Sequence, residues 1–147
     1  MDIKVKRFDK ALPLPKYERE GAACFDLTCR ENLTISPKEI KLVPLNIAVK
    51  IPEGYSLLIF VRSSTPMLKG LMMANSIGIV DPFYCGDRDE VLAEFLNFTD
   101  QPAEIHQGDL LAQGMVIKHE FISWNEVEEM EEEGVGGYKI NWSKQAK

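Results

Sequence analysis

The spacing of short apolar segments is the feature that most constrains the fold of this chain. Segments rich in β-branched and aromatic residues alternate with turn signals that contain Pro, Gly or Asp. Short strands at intervals of roughly 8–12 residues are typical of antiparallel sandwiches and barrels. Pro44 lies inside one segment and predicts an edge or bulged strand there. We therefore predict an all-β domain with strands near residues 3–5, 32–35, 42–49, 55–61, 91–98 and 110–117.

Composition limits the classes of protein that fit. A length of 147 residues is usual for one domain, and 45% hydrophobic residues suffice for a core. The sequence has neither an apolar run of about 18 residues nor the apolar region of a secretion signal. Three cysteines without C-x-x-C spacing argue against a disulfide framework or a zinc site and predict a cytoplasmic protein. The net charge of -6 argues against a nucleic-acid binder, but a nucleotide remains open as a ligand.

The composition changes near residue 124. Residues 125–133 are strongly acidic, and the glycine-rich stretch 134–138 that follows ends in an aromatic residue, Tyr138. Glycine-rich segments are too flexible to hold a fixed shape on their own. We therefore predict a β domain over residues 1–123, followed over residues 124–147 by an acidic linker and a flexible C-terminal arm. A frayed tail is the alternative.

Asp81 is the leading candidate for a catalytic group. It follows the strand-like stretch 75–80 and precedes Pro82, which cannot donate a backbone hydrogen bond and therefore ends regular strand pairing. A carboxylate at such a turn can orient a water molecule and take its proton during attack on phosphorus. The alternative is an aspartate that only stabilises the turn.

A candidate anion-binding segment begins at Arg62. Its guanidinium group matches the geometry of phosphate, and the N–H groups at the start of a helix attract anions. Ser63 or Ser64 is expected to cap a helix of one or two turns, with Pro66 in the first turn and Gly70 at the end. A capped helix with a surface arginine is the alternative.

Four further residues have side chains suited to a nucleotide site. Asp26 is suited to holding magnesium through water, because this ion keeps most of its hydration shell. Gln113 offers an amide N–H to a phosphate oxygen, and the rings of Tyr84 and Tyr138 can stack on a sugar or a base. A turn aspartate, an outward-facing glutamine and core packing are the respective alternatives for Asp26, Gln113 and Tyr84. We interpret residues 87–90 as an exposed hairpin tip without a chemical role.

Taken in order, these segments resemble the motifs of the trimeric dUTPase family. The similarity runs from about residue 3 to residue 119, and the third motif is the most specific. The five motifs of the family are similar, in order, to residues 23–27, 62–64, 75–86, 108–113 and, more weakly, 134–138.

The resemblance implies a jelly-roll-like (β-clip) subunit in a homotrimer that hydrolyses dUTP to dUMP and pyrophosphate with Mg²⁺. Each site would lie between subunits, with Asp81 orienting the water that attacks the α-phosphorus and Asp26 in the outer shell of the metal. The expected substrate contacts are Arg62, Ser63, Ser64 and Gln113 for phosphates, Asn75, Gly78 and Val80 for uracil in a β-hairpin pocket, Tyr84 for deoxyribose, and Tyr138 for the base.

Two other functions stay open from the sequence. dCTP deaminases share the fold and activate water with a glutamate on a strand that resembles the one carrying Glu94. A non-catalytic binding or regulatory member of the fold is the second alternative, because the fifth motif departs most from the family pattern. There, Val135 stands where an arginine is expected, and residues 139–141 replace the usual Gly-Ser-Thr.

Overall fold

The computed structural model describes residues 1–131 and consists mainly of short β-strands, which confirms the predicted all-β class. One helix, α1, spans Thr65–Lys69. The twelve strands of the described residues are β1 (Lys4–Arg7), β2 (Lys16–Tyr17), β3 (Phe25–Thr28), β4 (Leu33–Ile35), β5 (Ile40–Pro44), β6 (Ile47–Lys50), β7 (Tyr55–Val61), β8 (Leu71–Met73), β9 (Gly78–Val80), β10 (Leu92–Asn97), β11 (Ala103–Ile105) and β12 (Leu110–Lys118).

The strands form two antiparallel sheets and two antiparallel ribbons. The larger sheet has the order β2-β3-β12-β7-β9, and the smaller has the order β5-β10-β8. The ribbons pair β1 with β6 and β4 with β11. Most of the paired strands are distant in sequence, as in jelly-roll folds, so the sheets are built by long-range pairing.

The segment predicted as one strand over residues 42–49 is two strands. β5 ends at Pro44, and β6 begins at Ile47 after a tight link through Leu45 and Asn46. Asn46 adopts a left-handed conformation with φ 67°, which asparagine tolerates better than most residues. Pro44 is the last residue of an edge strand, in agreement with the prediction for this proline.

Helix α1 has the predicted limits. Ser64 occupies the N-cap position, although its side chain makes no capping hydrogen bond, and Pro66 lies in the first turn. Gly70 ends the helix with φ 65°, a left-handed conformation that favours glycine. The hydroxyl of Thr65 donates to the carbonyl of Leu111 at 2.9 Å, which fixes the helix to β12.

The core is built from both sheets and both ribbons, and strand β12 lies at the centre of the larger sheet. Gly114 of β12 allows the close packing there, because an added Cβ would lie 2.6 Å from the Phe25 ring and 3.0 Å from Leu57. The largest fully buried side chains are Phe95, Leu27, Ile35, Leu45, Ile47, Ile51, Leu57, Ile59, Leu71, Ile105, Val43 and Val91.

Residues 119–131 follow the last strand without regular secondary structure. Several large apolar side chains are exposed there, including Phe121, Trp124 and Met130. The predicted domain boundary at residue 124 lies within this stretch and stays a prediction. Tyr138 and the glycine-rich stretch 134–138 lie outside the described residues. Among residues 1–131, none of the helices has the length and apolar character needed to span a membrane.

Candidate active site

The larger sheet aligns Asp26 and Gln113 in one row of side chains. Strand β12 lies between β3 and β7, so that Gln113 faces Asp26 on one side and Phe60 on the other. Directly opposed residues of antiparallel strands point to the same face, and so do residues two apart on one strand. Arg62 follows Phe60 by two positions and therefore reaches this face. We call Asp26, Arg62 and Gln113 the Asp26 cluster.

Asp26 and Arg62 form a direct ion pair. The Nε of Arg62 donates to Oδ1 of Asp26 at 2.8 Å, and its Nη1 donates to the carbonyl of Leu110 at 3.3 Å. The Asp26 side chain is 8% exposed and that of Arg62 is 29% exposed. Oδ2 of Asp26 is buried and has no hydrogen-bond partner among the described residues. The pair thus combines an arginine accessible from solvent with one carboxylate oxygen that lacks a donor.

The other predicted phosphate ligands are Gln113, which lies opposite Asp26 in the sheet, and Ser63 and Ser64, which follow Arg62 in the sequence. The Nε2 of Gln113 donates to the carbonyl of Val61 at 3.2 Å; an amide carries two N–H donors, so one remains for a ligand. Ser63 is exposed, and Ser64 is partly exposed at the start of α1. Because α1 has five residues, we assign the capacity to bind anions to the side chains rather than to a helix dipole.

The third predicted motif is a strand and a turn, whereas the resemblance implies a β-hairpin. Within residues 1–131, strand β9 pairs only with β7, with Gly78 opposite Ile59 and Val80 opposite Leu57. Gly78 is buried, and an added Cβ would lie 3.2 Å from Cβ of Ile59. Asn75 is exposed in the link before β9, where its carbonyl accepts a hydrogen bond from the N–H of Ile77 at 2.8 Å.

Asp81 stands immediately after β9, in a turn closed by a hydrogen bond from the N–H of Tyr84 to the Asp81 carbonyl at 3.1 Å. We call residues 81–84 the Asp81 turn. The Asp81 carboxylate is half-buried and forms no hydrogen bond or ion pair within residues 1–131. It borders a cleft of about 260 Å³ that Val80 and Tyr84 also line. An unpaired carboxylate beside a cleft is free to accept a proton from a bound water.

Tyr84 presents a partly exposed ring to the same cleft. Its hydroxyl donates to the carbonyl of Glu90 at 2.9 Å. Burial raises the pKa of the Tyr84 hydroxyl, and the nearby charges of Asp89 and Glu90 raise it further. The hydroxyl therefore stays protonated at neutral pH and remains a hydrogen-bond donor.

Within one chain, the Asp81 turn lies far from the Asp26 cluster. Val80 pairs with Leu57, so Asp81 lies beside Ser56 at the start of β7. Arg62 follows the other end of β7 and lies about six residues, or roughly 20 Å, further along the strand. The structure therefore brings Asp26, Arg62 and Gln113 together but does not bring Asp81 to them within one chain.

Known proteins match this chain over most of its length. The dUTPase family model matches residues 10–141. Deoxyuridine 5'-triphosphate nucleotidohydrolases of Dictyoglomus turgidum and of a Helicobacter pylori strain are 34% and 35% identical over 141 residues; the matches cover 92% and 94% of this chain and 94% of each relative. The chain belongs to the dUTPase family. Among solved structures, the dUTPase of Streptococcus mutans has a TM-score of 0.77 at 32% identity, covering 84% of this chain and all of that one.

The dUTPase fold is also found in a more distant solved structure. The Staphylococcus bacteriophage 80alpha dUTPase with dUpNHpp has a TM-score of 0.80 at 21% identity and covers 95% of each chain. At that identity the likeness shows the fold alone, and it agrees with the predicted jelly-roll-like class. The membership of the family does not favour the deaminase alternative. Glu94 lies on β10 of the smaller sheet, opposite Leu42, and thus on a different sheet from the Asp26 cluster.

Sequence reasoning missed Glu90 of this dUTPase-family chain. The prediction that residues 87–90 are exposed is confirmed for Asp87, whose side chain is 90% exposed, but is wrong for Glu90, whose side chain is only 12% exposed. Glu90 holds Arg30 through two hydrogen bonds and contacts Tyr84. Its partner is distant in sequence, so the local pattern gave no signal of this pairing.

Proposed function

We propose that this chain hydrolyses dUTP to dUMP and pyrophosphate. Its membership of the dUTPase family supports this reaction, and so does the name of its relatives, deoxyuridine 5'-triphosphate nucleotidohydrolase. The observation that carries the proposal is the pairing of Asp26 with a solvent-accessible Arg62, in register with Gln113. Asp81, a carboxylate without a partner among residues 1–131, stands beside a cleft of about 260 Å³ that Tyr84 also lines.

Asp81 has the role of general base in this proposal. Its carboxylate accepts the proton of a water molecule as that water attacks the α-phosphorus, and the bond to the pyrophosphate leaving group breaks. Arg62, Ser63, Ser64 and the remaining Gln113 N–H group hold the phosphate oxygens. The Nη2 group of Arg62 suits this role, because Nε and Nη1 already have acceptors in the chain.

The nucleoside is assigned to the segment around the Asp81 turn. Backbone groups at Gly78 and Val80, with the Asn75 amide, read the uracil edge, and the Tyr84 ring packs against the deoxyribose. A wrong base would leave buried polar groups of the pocket without hydrogen-bond partners, and this energetic cost would exclude that base. The C-terminal arm, which carries Tyr138 and follows the acidic linker, closes over the base in this proposal.

The residues present fit a magnesium ion that is held mainly by the substrate. Oδ2 of Asp26 is an acceptor without a donor, and a water molecule on the ion would supply that donor. Mg²⁺ is usually bound through one or two carboxylates together with substrate phosphates and retained water. When bound, the ion would neutralise the charge that develops on the departing pyrophosphate. A solved dUTPase from Staphylococcus aureus phage phi11 is described as coordinating a structural Mg(II) ion.

A homotrimer with shared sites explains the separation of Asp81 from Arg62. One chain holds them roughly 20 Å apart along β7, whereas the reaction needs both groups on one substrate. We therefore assign Asp81 and Arg62 of the same site to different copies of the chain. Unfolding and refolding a mixture of Asp81→Asn and Arg62→Ala chains should restore part of the activity that each variant lacks. If the mixture were as inactive as each variant alone, the result would contradict active sites that are shared between chains.

The direct test supplies purified protein and magnesium with dUTP, dCTP, dTTP or UTP separately. Pyrophosphate from dUTP alone, lost in Asp81→Asn and kept in the exposed control Asp100→Asn, is the expected result. Ammonia from dCTP would identify a deaminase, and release of neither product would contradict catalysis. The cellular location is proposed to be the cytoplasm, since Cys24, Cys29 and Cys85 are free thiols.

A further inference from the structure

Glu90 is fixed by its side chain to a distant part of the fold. Its two carboxylate oxygens accept hydrogen bonds from Nε and Nη2 of Arg30 at 2.8 and 2.9 Å. Oε1 also accepts the N–H of Asn46 at 3.0 Å. The side chains of Glu90 and Arg30 are 12% and 28% exposed, so the pair is shielded from most of the solvent. A bidentate, partly buried pair restricts the position of both residues.

The groups that hold Glu90 are themselves held by the fold. The N–H of Arg30 donates to the carbonyl of Pro44 at 2.9 Å. Asn46 is 1% exposed, and its amide exchanges two hydrogen bonds with the backbone of Asp9, at 2.7 and 3.0 Å. The N–H of Val91, next to Glu90, donates to the carbonyl of Ile47 at 2.7 Å. Glu90 therefore has a fixed position relative to the link between β5 and β6.

The Tyr84 ring takes its orientation from the backbone of Glu90. The Tyr84 hydroxyl donates to the Glu90 carbonyl at 2.9 Å. The loop between the two residues closes on itself, because Asp89 accepts the Gly86 N–H at 2.7 Å and donates its own N–H to the Gly86 carbonyl at 3.1 Å. A hydrogen bond thus joins the two ends of a closed loop, and the Arg30–Glu90 pair holds one of those ends.

We propose that Arg30 and Glu90 are positioning residues that set the selectivity of this site for deoxyribose over ribose. They act by fixing the ring of Tyr84. The inference rests on the proposed function, in which that ring packs against the sugar. A fixed ring excludes the extra 2′-hydroxyl by steric contact, whereas a ring that can move away admits it. Narrow selectivity commonly requires that the residue in contact with the substrate be held in place by neighbouring residues that do not touch the substrate.

The test compares kcat/KM for dUTP and UTP in wild type, Arg30→Met and Glu90→Gln. Both variants should lower the dUTP-to-UTP ratio by about five- to tenfold, the size expected for loss of one positioning interaction. The change should come mainly from a lower KM for UTP, with kcat for dUTP nearly unchanged. The matched control is Glu31→Gln: Glu31 also pairs with Arg30, but it is 44% exposed and makes no contact with Tyr84 within the described residues.

Two results would overturn the proposal. One is an unchanged ratio in both Arg30→Met and Glu90→Gln. The other is an equal drop in Glu31→Gln, which would indicate a general effect of charge. If Arg30→Met does not fold, Arg30→Lys replaces it, because lysine keeps the charge but cannot hold both carboxylate oxygens in a planar fork. Its ratio should fall as well.

A second measurement does not depend on activity. Tyrosine is replaced throughout by 3-fluorotyrosine, and the ¹⁹F resonance of residue 84 is assigned from its loss in Tyr84→Phe. That resonance should shift in Arg30→Met and Glu90→Gln but not in Glu31→Gln. Wild-type protein that hydrolyses neither nucleotide would contradict the proposed function, whereas an unmoved Tyr84 resonance in Arg30→Met would contradict the positioning role whatever the activity.

Discussion

The Asp26 cluster and the Asp81 turn supply the proposed chemistry, but the fold holds them by different means. Asp26 and Gln113 face each other across neighbouring strands of the larger sheet, and Arg62 follows β7 in the same sheet. Strand register therefore fixes their positions. Asp81 and Tyr84 follow the edge strand β9, beyond which the chain makes a tight turn. Asp81 is held by the pairing of β9 with β7 and by the hydrogen bond that closes its turn, and the Tyr84 ring is held through the carbonyl of Glu90.

This difference predicts how each region fails. A change in the Asp26 cluster disturbs groups that lie in the middle of a packed sheet, so stability and function should fall together. A change in the Asp81 turn affects groups with few structural partners, so function should fall while stability is kept.

Asp81→Asn should have the largest effect on activity. Removal of a general base commonly lowers kcat by 10²–10⁴-fold, and we expect about a thousandfold here. The Tm should not change measurably, because the carboxylate has no partner within the described residues. Steady-state pyrophosphate release and thermal unfolding measure the two quantities. A Tm lowered by several degrees would show that Asp81 also holds the turn together.

Arg62→Met should lower both activity and stability. We expect about a hundredfold loss in kcat/KM, from lost charge-assisted contacts to phosphate. Unfolding in urea should show a loss of about 2 kcal/mol, because Asp26 is left buried without its partner; the partial exposure of Arg62 keeps the figure below that of a fully buried pair. Adding Asp26→Asn should recover stability without recovering activity. A stable Arg62→Met protein would contradict the contrast.

The sequence predicted the local setting of Gln113 within a strand and of Asp81 in a turn after a strand, and the structure has both. It did not predict that β3 and β12 pair and so bring Asp26 beside Gln113, because strand pairing is not contained in a period of two residues. Helix α1 was also predictable, since Ser64, Pro66 and Gly70 each carry a local signal. The division of residues 42–49 into β5 and β6 had a signal in Pro44 that predicted an edge or a bulge, although the break itself was missed.

What the sequence could not supply depends on long-range contacts. Glu90 meets Arg30 across 60 residues, and an exposed charged tip gives the same local pattern as a buried ion pair. In the part of the chain that the structure describes, β9 pairs with β7 and not in the implied hairpin, and this too depends on strands that are distant in the sequence. The distance between Asp81 and Arg62 follows from strand order, which periodicity does not determine.

Gly114→Ala should weaken the register that holds the Asp26 cluster. The new methyl group would meet the Phe25 ring and Leu57, and overpacking of this kind costs about 1–3 kcal/mol. Affinity for the phosphates should fall with it, whereas the ¹⁹F resonance of Tyr84 should stay in place. The double variant Gly114→Ala/Phe25→Leu should be more stable than the sum of the single effects predicts. If the two changes in the free energy of unfolding were strictly additive, the new methyl group would clash with a residue other than Phe25.

The smallest expected effect is a pH dependence at the start of β12. Burial acts to raise the pKa of Asp109, but hydrogen bonds from the His106 N–H and from Lys69 outweigh it and hold the pKa below its ordinary value of 3.8. Asp109 therefore contributes stability above about pH 4, and this contribution disappears as the pH falls through the lowered pKa. Since both side chains of the Lys69–Asp109 pair are about 30% exposed, we expect Asp109→Asn to cost about 0.5 kcal/mol at pH 7.

Urea unfolding measures the difference in the free energy of unfolding between wild type and Asp109→Asn. This difference should be constant from pH 7 to pH 4 and should shrink below pH 4, and Lys69→Met should behave in the same way. A difference that already shrinks between pH 7 and pH 5 would assign the effect to a group other than Asp109.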